Sequence, residues 1–232
     1  MLLLAWTTRE PVPPRSSLEW GVVAGVSGAF GIAALYKALA IGRMGVVAPV
    51  ASVITAILPV LVGIRTEGLP DIIQLAGFAV ALVSIWLVAR PDGEIGSHRG
   101  LGLALLAGVM FGLFLVSGKQ AGHHGVFWPL VAARTASTLL MLLIVAFLPR
   151  DIRSLRSAFV PILLSGLLDS AANAMFIAAT RHGRLDVAAV LSSLYPASTV
   201  ILARVLLKER LSASQNAGIV GALASVALIS AR

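Results

Sequence analysis

The sequence predicts an all-α integral membrane protein built from two related copies of one helical unit. Hydrophobic residues make up 58% of the chain and charged residues only 12%, whereas soluble domains carry about 25% charged residues. The apolar residues gather in eight long runs, and the second part of the chain repeats the first. The formal charge of +8 falls mostly in the loops between those runs, as membrane topology requires, so we expect no nucleic-acid partner.

Each apolar run has about the 17–25 residues that a membrane-spanning helix needs. Helices are expected because backbone polar groups in lipid must be satisfied within the segment. The continuous runs also lack the alternating pattern, in segments of about 10 residues, that is typical of β-barrel strands. The predicted spans are 18–40, 45–64, 72–89, 100–121, 127–148, 159–180, 187–207 and 214–231.

The internal repeat has an offset of 141 residues and contains no gap. Residues 25–88 align with residues 166–229, and 17 of these 64 columns are identical, among them Ser52 with Ser193. The second copy has five spans, and an odd number of spans makes consecutive copies cross the membrane in opposite directions. Such inverted repeats are typical of secondary transporters, whose substrate site lies between the copies near the midplane.

The repeat predicts two domains, an incomplete first copy at 1–99 and a complete second copy at 100–232. In the repeat register, the span 127–148 maps onto positions ending at Thr7, so "MLLLAW" corresponds to the end of a helix. The expected fold is therefore a ten-helix, 5+5 inverted repeat with eight helices visible, lacking the first helix and most of the second. A shortened start and a genuine eight-helix form both remain open, and an in-frame apolar extension upstream would distinguish them.

The stretch "GRLDVAAVLSSLYPASTVILARVLLKERLSASQNAGIVGALASVALIS" resembles the last two helices of EamA-type carriers of the drug/metabolite transporter superfamily. It has a mid-helix proline at Pro196, a short turn with Glu209, and a last helix rich in glycine and alanine. The first copy, "GRMGVVAPVASVITAILPVLVGIRTEGLPDIIQLAG", is similar, with Glu67 in the turn. The resemblance covers residues 18–231 and implies a ten-span carrier of the cell membrane with two five-helix halves.

Asp169 is the most informative polar residue because it lies near the centre of "LLSGLLDSAANAMFIAAT". A charged group inside a bilayer costs about 2.5–3.5 kcal/mol on insertion scales. Arg134 lies at a similar depth, within about 4.5 Å along the membrane normal, and Asn173 shares the Asp169 helix face through its i, i+4 spacing. We therefore expect these three side chains to form one polar cluster, which either contacts substrate or only fixes helix packing.

Three further residues are candidates for substrate contact, namely Tyr195, Ser193 and Tyr36. Pro196 frees a backbone carbonyl one turn earlier, beside Ser193, which is tolerable where the helix lines a cavity. Two "GxxxG" spacings, at Gly21–Gly25 and Gly108–Gly112, fit sites of close helix packing.

These residues favour a secondary carrier of a small metabolite or drug-like solute over two alternatives. An intramembrane enzyme would need acid, base or nucleophilic groups clustered near one interface, and a non-transporting scaffold stays open. The chain has no cysteine and no Walker-type loop, and His123-His124 lacks a third metal ligand, so we expect no cofactor and no metal. The expected partners are the solute and the lipid bilayer, and a homodimer is left open.

Overall fold

The computed structural model describes residues 2–42, 44–89, 100–146, 159–195, 197, 201, 205 and 212–230, and in these residues it contains helices joined by turns and short irregular segments, with no strand. Pro196 and Glu209, named above, lie outside the described residues. The helices are α1 (Leu2–Thr7), α2 (Arg15–Ile41), α3 (Met44–Glu67), α4 (Ile72–Ala89), α5 (Leu101–Ala121), α6 (Phe127–Ala146), α7 (Phe159–His182), α8 (Leu185–Ser192) and α9 (Ala213–Ser230). A 3-10 turn, Gly122–His124, follows α5.

The helices confirm the positions of the predicted membrane spans. Within the described ranges, five helical segments are long and apolar enough to cross a membrane: Arg15–Ile41, Val50–Glu67, Leu101–His124, Phe127–Ala146 and Phe159–His182. Ile72–Val88 and Ala213–Ile229 are shorter apolar helices at two further predicted spans. The predicted span 187–207 begins as α8, and beyond it only a few residues are described.

The chain divides into two compact units, and each contains segments from both sequence copies. The first unit comprises Met1–Ala29 and Ser117–Gly183, and the second comprises Phe30–Val116 and Arg184–Arg232. The unit boundaries fall within α2 and α5. The sequence-based division into 1–99 and 100–232 describes the repeat and stays a prediction.

In the second unit, α4 packs against α9, its equivalent in the repeat. A Cβ atom built on Gly77 would lie 2.7 Å from Ile229 Cγ1, and one built on Gly218 would lie 2.7 Å from the Val88 nitrogen. The offset of 141 relates Gly77 to Gly218 and Val88 to Ile229, so the two contacts are equivalent. The early part of each helix meets the late part of the other, which makes the pair antiparallel, as inverted topology requires.

Small residues allow this close approach, because helices in lipid associate through van der Waals packing rather than through a hydrophobic driving force. Ser84 and Ser225, another equivalent pair, are buried on α4 and α9. Their hydroxyl groups donate to Val80 O at 2.6 Å and to Ala222 O at 2.7 Å, so both are satisfied within their own helices. The helix α3 packs on α8 in the same unit, again as repeat equivalents.

The two predicted sites of close helix packing are confirmed. In the first unit, a Cβ atom on Gly21 would lie 2.6 Å from Pro129 O, and one on Gly25 would lie 2.1 Å from Ala133 O, so α2 and α6 touch along their backbones. In the second unit, a Cβ atom on Gly108 would lie 2.8 Å from Ala51 O and one on Gly112 would lie 3.2 Å from Thr55 O, so α5 also comes close to α3.

Glu10 fixes the start of α6 in the first unit. Its carboxylate accepts hydrogen bonds from the backbone nitrogens of Val126 and Phe127, the latter at 2.9 Å. Trp128 Nε1 donates to the Glu10 carbonyl at 2.9 Å. A carboxylate at a helix N-terminus satisfies donors that have no partner within the helix, so this segment holds α6, which carries Arg134, in place.

Candidate functional site

The predicted polar cluster of Asp169, Arg134 and Asn173 is formed in the first unit, where α6 packs against α7. Arg134 Nη2 donates to Asp169 Oδ2, and the two side chains form an ion pair. Asn173 Nδ2 donates to Asp169 Oδ1 at 3.3 Å across one turn of α7. Both carboxylate oxygens of Asp169 are therefore hydrogen-bonded, one within its helix and one across the helix pair.

The ion pair is not enclosed by the protein. The Asp169 side chain is 55% exposed and the Arg134 side chain 34% exposed, although both residues lie within helices that are apolar enough to cross a membrane. A charged pair facing hydrocarbon would be costly, and such residues in membrane proteins almost always face a bundle interior or a water-filled cavity.

The cluster offers both acceptors and donors at one place. Asp169 supplies carboxylate oxygens, while Arg134 and Asn173 supply nitrogen donors with fixed directions. Because the Arg134 and Asp169 charges compensate each other, an incoming charged group must compete with one partner for the other. This arrangement suits a polar solute with its own donor and acceptor groups better than a purely apolar one.

Tyr195 and Ser193, predicted on the span that begins with α8, lie in the second unit. Tyr195 is 44% exposed, yet its hydroxyl group forms a hydrogen bond of 2.7 Å with Ser52 Oγ on α3. Sequence reasoning noted Ser52 only as the repeat equivalent of Ser193 and did not connect it to Tyr195. That bond joins the two copies and depends on how α3 packs against α8, which a sequence pattern does not show.

Ser193 is buried, and its hydroxyl group donates to Ala189 O at 2.9 Å. Ser52 makes the equivalent bond to Ala48 O, also at 2.9 Å. The regular helix ends at Ser192, and the next backbone bonds span three residues, from Leu194 N to Leu191 O and from Ala197 N to Leu194 O. The carbonyl group predicted to be freed by Pro196 stays a prediction, since Pro196 lies outside the described residues, and the buried Ser193 hydroxyl group is already bonded within its own helix.

Tyr36, the last predicted residue, lies on α2 with its side chain 68% exposed. Asp169, Arg134 and Asn173 belong to one compact unit, whereas Tyr195, Ser193 and Tyr36 belong to the other. The structure places each group on its helices, and the role of all six residues in solute contact stays a prediction.

Sequence reasoning missed a polar network around Arg184 in the second unit. The Arg184 guanidinium donates to the Asp186 carboxylate through Nε at 3.0 Å and Nη2 at 2.7 Å. It also donates to Glu67 O at 3.2 Å and to Gly68 O at 2.7 Å. The Glu67 carboxylate in turn accepts the backbone N–H of Leu185 at 3.1 Å. Both stretches that resemble the family begin with "GR", at Gly42-Arg43 and Gly183-Arg184, but attributing the charges between the apolar runs to membrane topology did not connect Arg184 with Glu67.

The hydrogen bond with Asp186 is the main reason that the pKa of Arg184 lies above its ordinary value, with smaller opposing and supporting contributions from desolvation and nearby carboxylates. Asp186 itself is fully buried. The guanidinium therefore stays charged over the whole physiological pH range.

Comparison with known proteins gives a family and a fold. A model of the EamA-like transporter family matches residues 98–231, more than half of the chain. Among solved structures that match, one crystal structure, described only as that of a protein, has a TM-score of 0.71 and 16% sequence identity. The match covers 99% of this chain and 91% of that one, and at this identity it shows a shared fold alone. No curated protein matches the chain.

Proposed function

The chain belongs to the EamA-like transporter family, and from that premise we propose that it is a secondary carrier of the cell membrane. Family membership indicates a multi-pass membrane transporter of the drug/metabolite transporter superfamily, which favours transport over an enzymatic activity. The proposal adds the mechanism and the cargo: a small metabolite or drug-like solute that crosses by alternating access.

The observation that carries the proposal is the cluster of Asp169, Arg134 and Asn173. An ion pair that is half exposed on two apolar helices needs polar surroundings, because hydrocarbon cannot replace the lost hydration. A solute pathway supplies those surroundings. We assign the cluster to solute contact, with Asp169 accepting hydrogen bonds and Arg134 and Asn173 donating them.

The antiparallel pairing of repeat-equivalent helices supports alternating access. Two copies with opposite orientations can exchange conformations, so that the state open to one side mirrors the state open to the other. The matched contacts of Gly77 on Ile229 and Gly218 on Val88 have this symmetry. They leave α4 and α9 as a tightly packed pair about which the remaining helices of the second unit can move.

An uptake screen in proteoliposomes tests the proposal. Purified protein is reconstituted and challenged with pools of amino acids, small organic ions and drug-like compounds. For any solute that is taken up, Asp169→Ala and Arg134→Ala should each lower the rate about tenfold or more, because a hydrogen bond to a charged group contributes about 1.5–3 kcal/mol. Ser165→Ala is the matched control: Ser165 lies one turn before Asp169 and donates only to Ile162 O of its own helix.

A charge exchange separates solute contact from a packing role. The double variant Arg134→Asp/Asp169→Arg keeps an ion pair between α6 and α7 but presents its charges to the solute in the opposite positions. We expect this variant to fold, as judged by gel filtration in detergent, and to remain inactive toward the wild-type solute. Recovery of wild-type transport in the exchanged pair would show that the pair serves packing only.

A further inference from the structure

The network around Arg184 joins the end of α3 to the start of α8. We use the name Arg184 latch for Arg184, Asp186, Glu67 and Gly68. Its contacts run in both directions, because the Arg184 guanidinium reaches the carbonyl groups of Glu67 and Gly68 while the Glu67 carboxylate accepts the N–H of Leu185. The charge of Glu67 thus lies at the N-terminus of α8, where the helix dipole favours it.

The latch has one permanent part and one separable part. Arg184 and Asp186 are two residues apart at the start of α8, and their two-point ion pair moves with that helix. The three bonds to the α3 end join different segments and break together if α3 and α8 separate. Asp186 therefore holds the guanidinium in a fixed direction, which lowers the entropy lost each time the bonds to Glu67 and Gly68 form again.

Close packing makes this junction sensitive to separation. Asp186 is fully buried, and a Cβ atom built on Gly63 of α3 would lie 3.0 Å from Asp186 Cβ. Hydrogen bonds to a charged group are strong in such surroundings. Moving α3 away from α8 would admit water to Asp186 and release Arg184 from both carbonyl groups at once.

We propose that the Arg184 latch is a gate that closes one membrane face of the carrier and opens once in each transport cycle. This inference rests on the proposed function, since a gate needs two access states. The loop holding Arg184 and the loop holding Glu67 are separated by an even number of predicted spans, so both lie on the same face. The repeat equivalent of Arg184 is Arg43, which an odd number of spans places on the opposite face.

The two faces are not equivalent in sequence. At the position of Asp186 the first copy has Gly45, so Arg43 has no carboxylate two residues further along the chain. At this repeat position the sequence therefore supplies a direction-setting carboxylate only on the Arg184 face. We accordingly expect the carrier without solute to rest with that face closed.

Thiol labelling tests the gate without any knowledge of the solute. The chain has no native cysteine, so single cysteines can serve as reporters. Ala189→Cys lies on α8 one turn beyond Asp186, at a buried position. Ala48→Cys is its repeat equivalent and reports on the opposite face. Leu69→Cys, at a highly exposed position after Gly68, identifies the side of the vesicle on which the latch lies.

The latch is removed by the double variant Arg184→Ala/Asp186→Ala, which leaves no buried charge without a partner. Loss of the two bonds from Arg184 to the end of α3, which leaves only the Leu185 N–H bond to Glu67 between the segments, should raise the rate at which a membrane-impermeant thiol reagent labels Ala189→Cys from the Leu69 side, by about tenfold or more. Because the two access states exclude each other, labelling of Ala48→Cys from the opposite side should fall.

Two results would contradict the gate. The first is an unchanged labelling rate at Ala189→Cys in the double variant. The second is a higher labelling rate at Ala189→Cys with an unchanged rate at Ala48→Cys, which indicates that the structure has only loosened locally. If the double variant does not fold, Arg184→Lys replaces it and is tested with the same reporter cysteines. An ammonium group cannot reproduce the guanidinium geometry, so the labelling rate at Ala189→Cys should rise by an intermediate amount. A higher labelling rate at Ala189→Cys together with a lower rate at Ala48→Cys, in a protein that transports no solute, would contradict the carrier function and support a latch with two states. Solute transport without these changes in labelling rate would contradict the latch alone.

Discussion

Gly25 and Gly166 occupy equivalent positions in the repeat but have different surroundings, so the same substitution should change stability in opposite directions. A Cβ atom on Gly25 would lie 2.1 Å from Ala133 O and 2.8 Å from Ala133 Cα. These are backbone atoms, so only a shift of α2 away from α6 can relieve the overlap. A Cβ atom on Gly166 of α7 would meet nothing within 4 Å.

The expected magnitudes follow from those contacts. Overpacking in Gly25→Ala costs about 1–3 kcal/mol, and the better helix propensity of alanine returns about 0.5–1 kcal/mol. The net loss is thus about 0–2.5 kcal/mol, centred near 1 kcal/mol, of which part comes from separating α2 from α6. Gly166→Ala gains the better helix propensity of alanine, and its Cβ atom overlaps with no other atom, so the substitution should stabilise α7 by about 0.5–1 kcal/mol.

Thermal unfolding in detergent, followed by tryptophan fluorescence, measures both variants. For a chain of this size, each kcal/mol shifts the midpoint by about 2–4 °C, so Gly25→Ala should unfold several degrees lower and Gly166→Ala slightly higher than wild type. Gly102→Ala on α5 is the control, since its Cβ would also meet nothing within 4 Å. If the unfolding midpoint of Gly166→Ala falls as far as that of Gly25→Ala, the free space around Gly166 on α7 is contradicted.

Three further predictions follow from single contacts. Ser52→Ala and Tyr195→Phe each remove the hydrogen bond between α3 and Tyr195 and should each cost about 0.5–1.5 kcal/mol; combined, they should cost less than their sum, and a double-mutant cycle of unfolding midpoints that shows full additivity would contradict the bond. Glu10→Ala leaves the first N–H groups of α6 without their carboxylate and should cost about 0.5–2 kcal/mol, whereas Glu10→Gln, which keeps an acceptor, should cost less in the same assay. The hydrogen bond to Asp186 raises the pKa of Arg184. A cation whose pKa is higher in the folded state contributes fully to folding stability at any pH below its unfolded-state pKa, and it loses that contribution only as the pH rises through its folded-state pKa. The difference in unfolding midpoint between wild type and Arg184→Ala/Asp186→Ala should therefore be the same at about pH 7 and about pH 10, and a difference that shrinks in this range would contradict the assignment.

Composition and spacing predicted the spans because the requirement to bury a backbone in lipid acts on each segment separately. The meeting of Asp169 with Arg134 was also predictable, since two charges at similar depth on neighbouring spans have few other partners. The "GxxxG" pairs predicted close approach but did not identify the partner helix. That identity depends on tertiary packing.

The contacts that sequence reasoning missed join residues far apart in the chain. Ser52 meets Tyr195, and Arg184 meets Glu67, only because repeat-equivalent helices pack against each other in the second unit. The register related Ser52 to Ser193 and Arg184 to Arg43, which are equivalent rather than touching positions. A repeat alignment gives the symmetry operation, and it does not give the contacts that this operation creates.

The two copies share Gly77 with Gly218 and Arg43 with Arg184, but two carboxylates occur in one copy alone. Gly77 and Gly218 are identical and make matched contacts, whereas Asp169 corresponds to Gly28 and Asp186 to Gly45. In a carrier with identical inverted copies, the two access states would be mirror images with equal free energy. Charged residues in one copy alone remove that equality, because each state gains or loses their bonds separately. In the proposed carrier, the shared packing of α4 and α9 would therefore keep both access states available, and the carboxylates of one copy would set which state is preferred without solute.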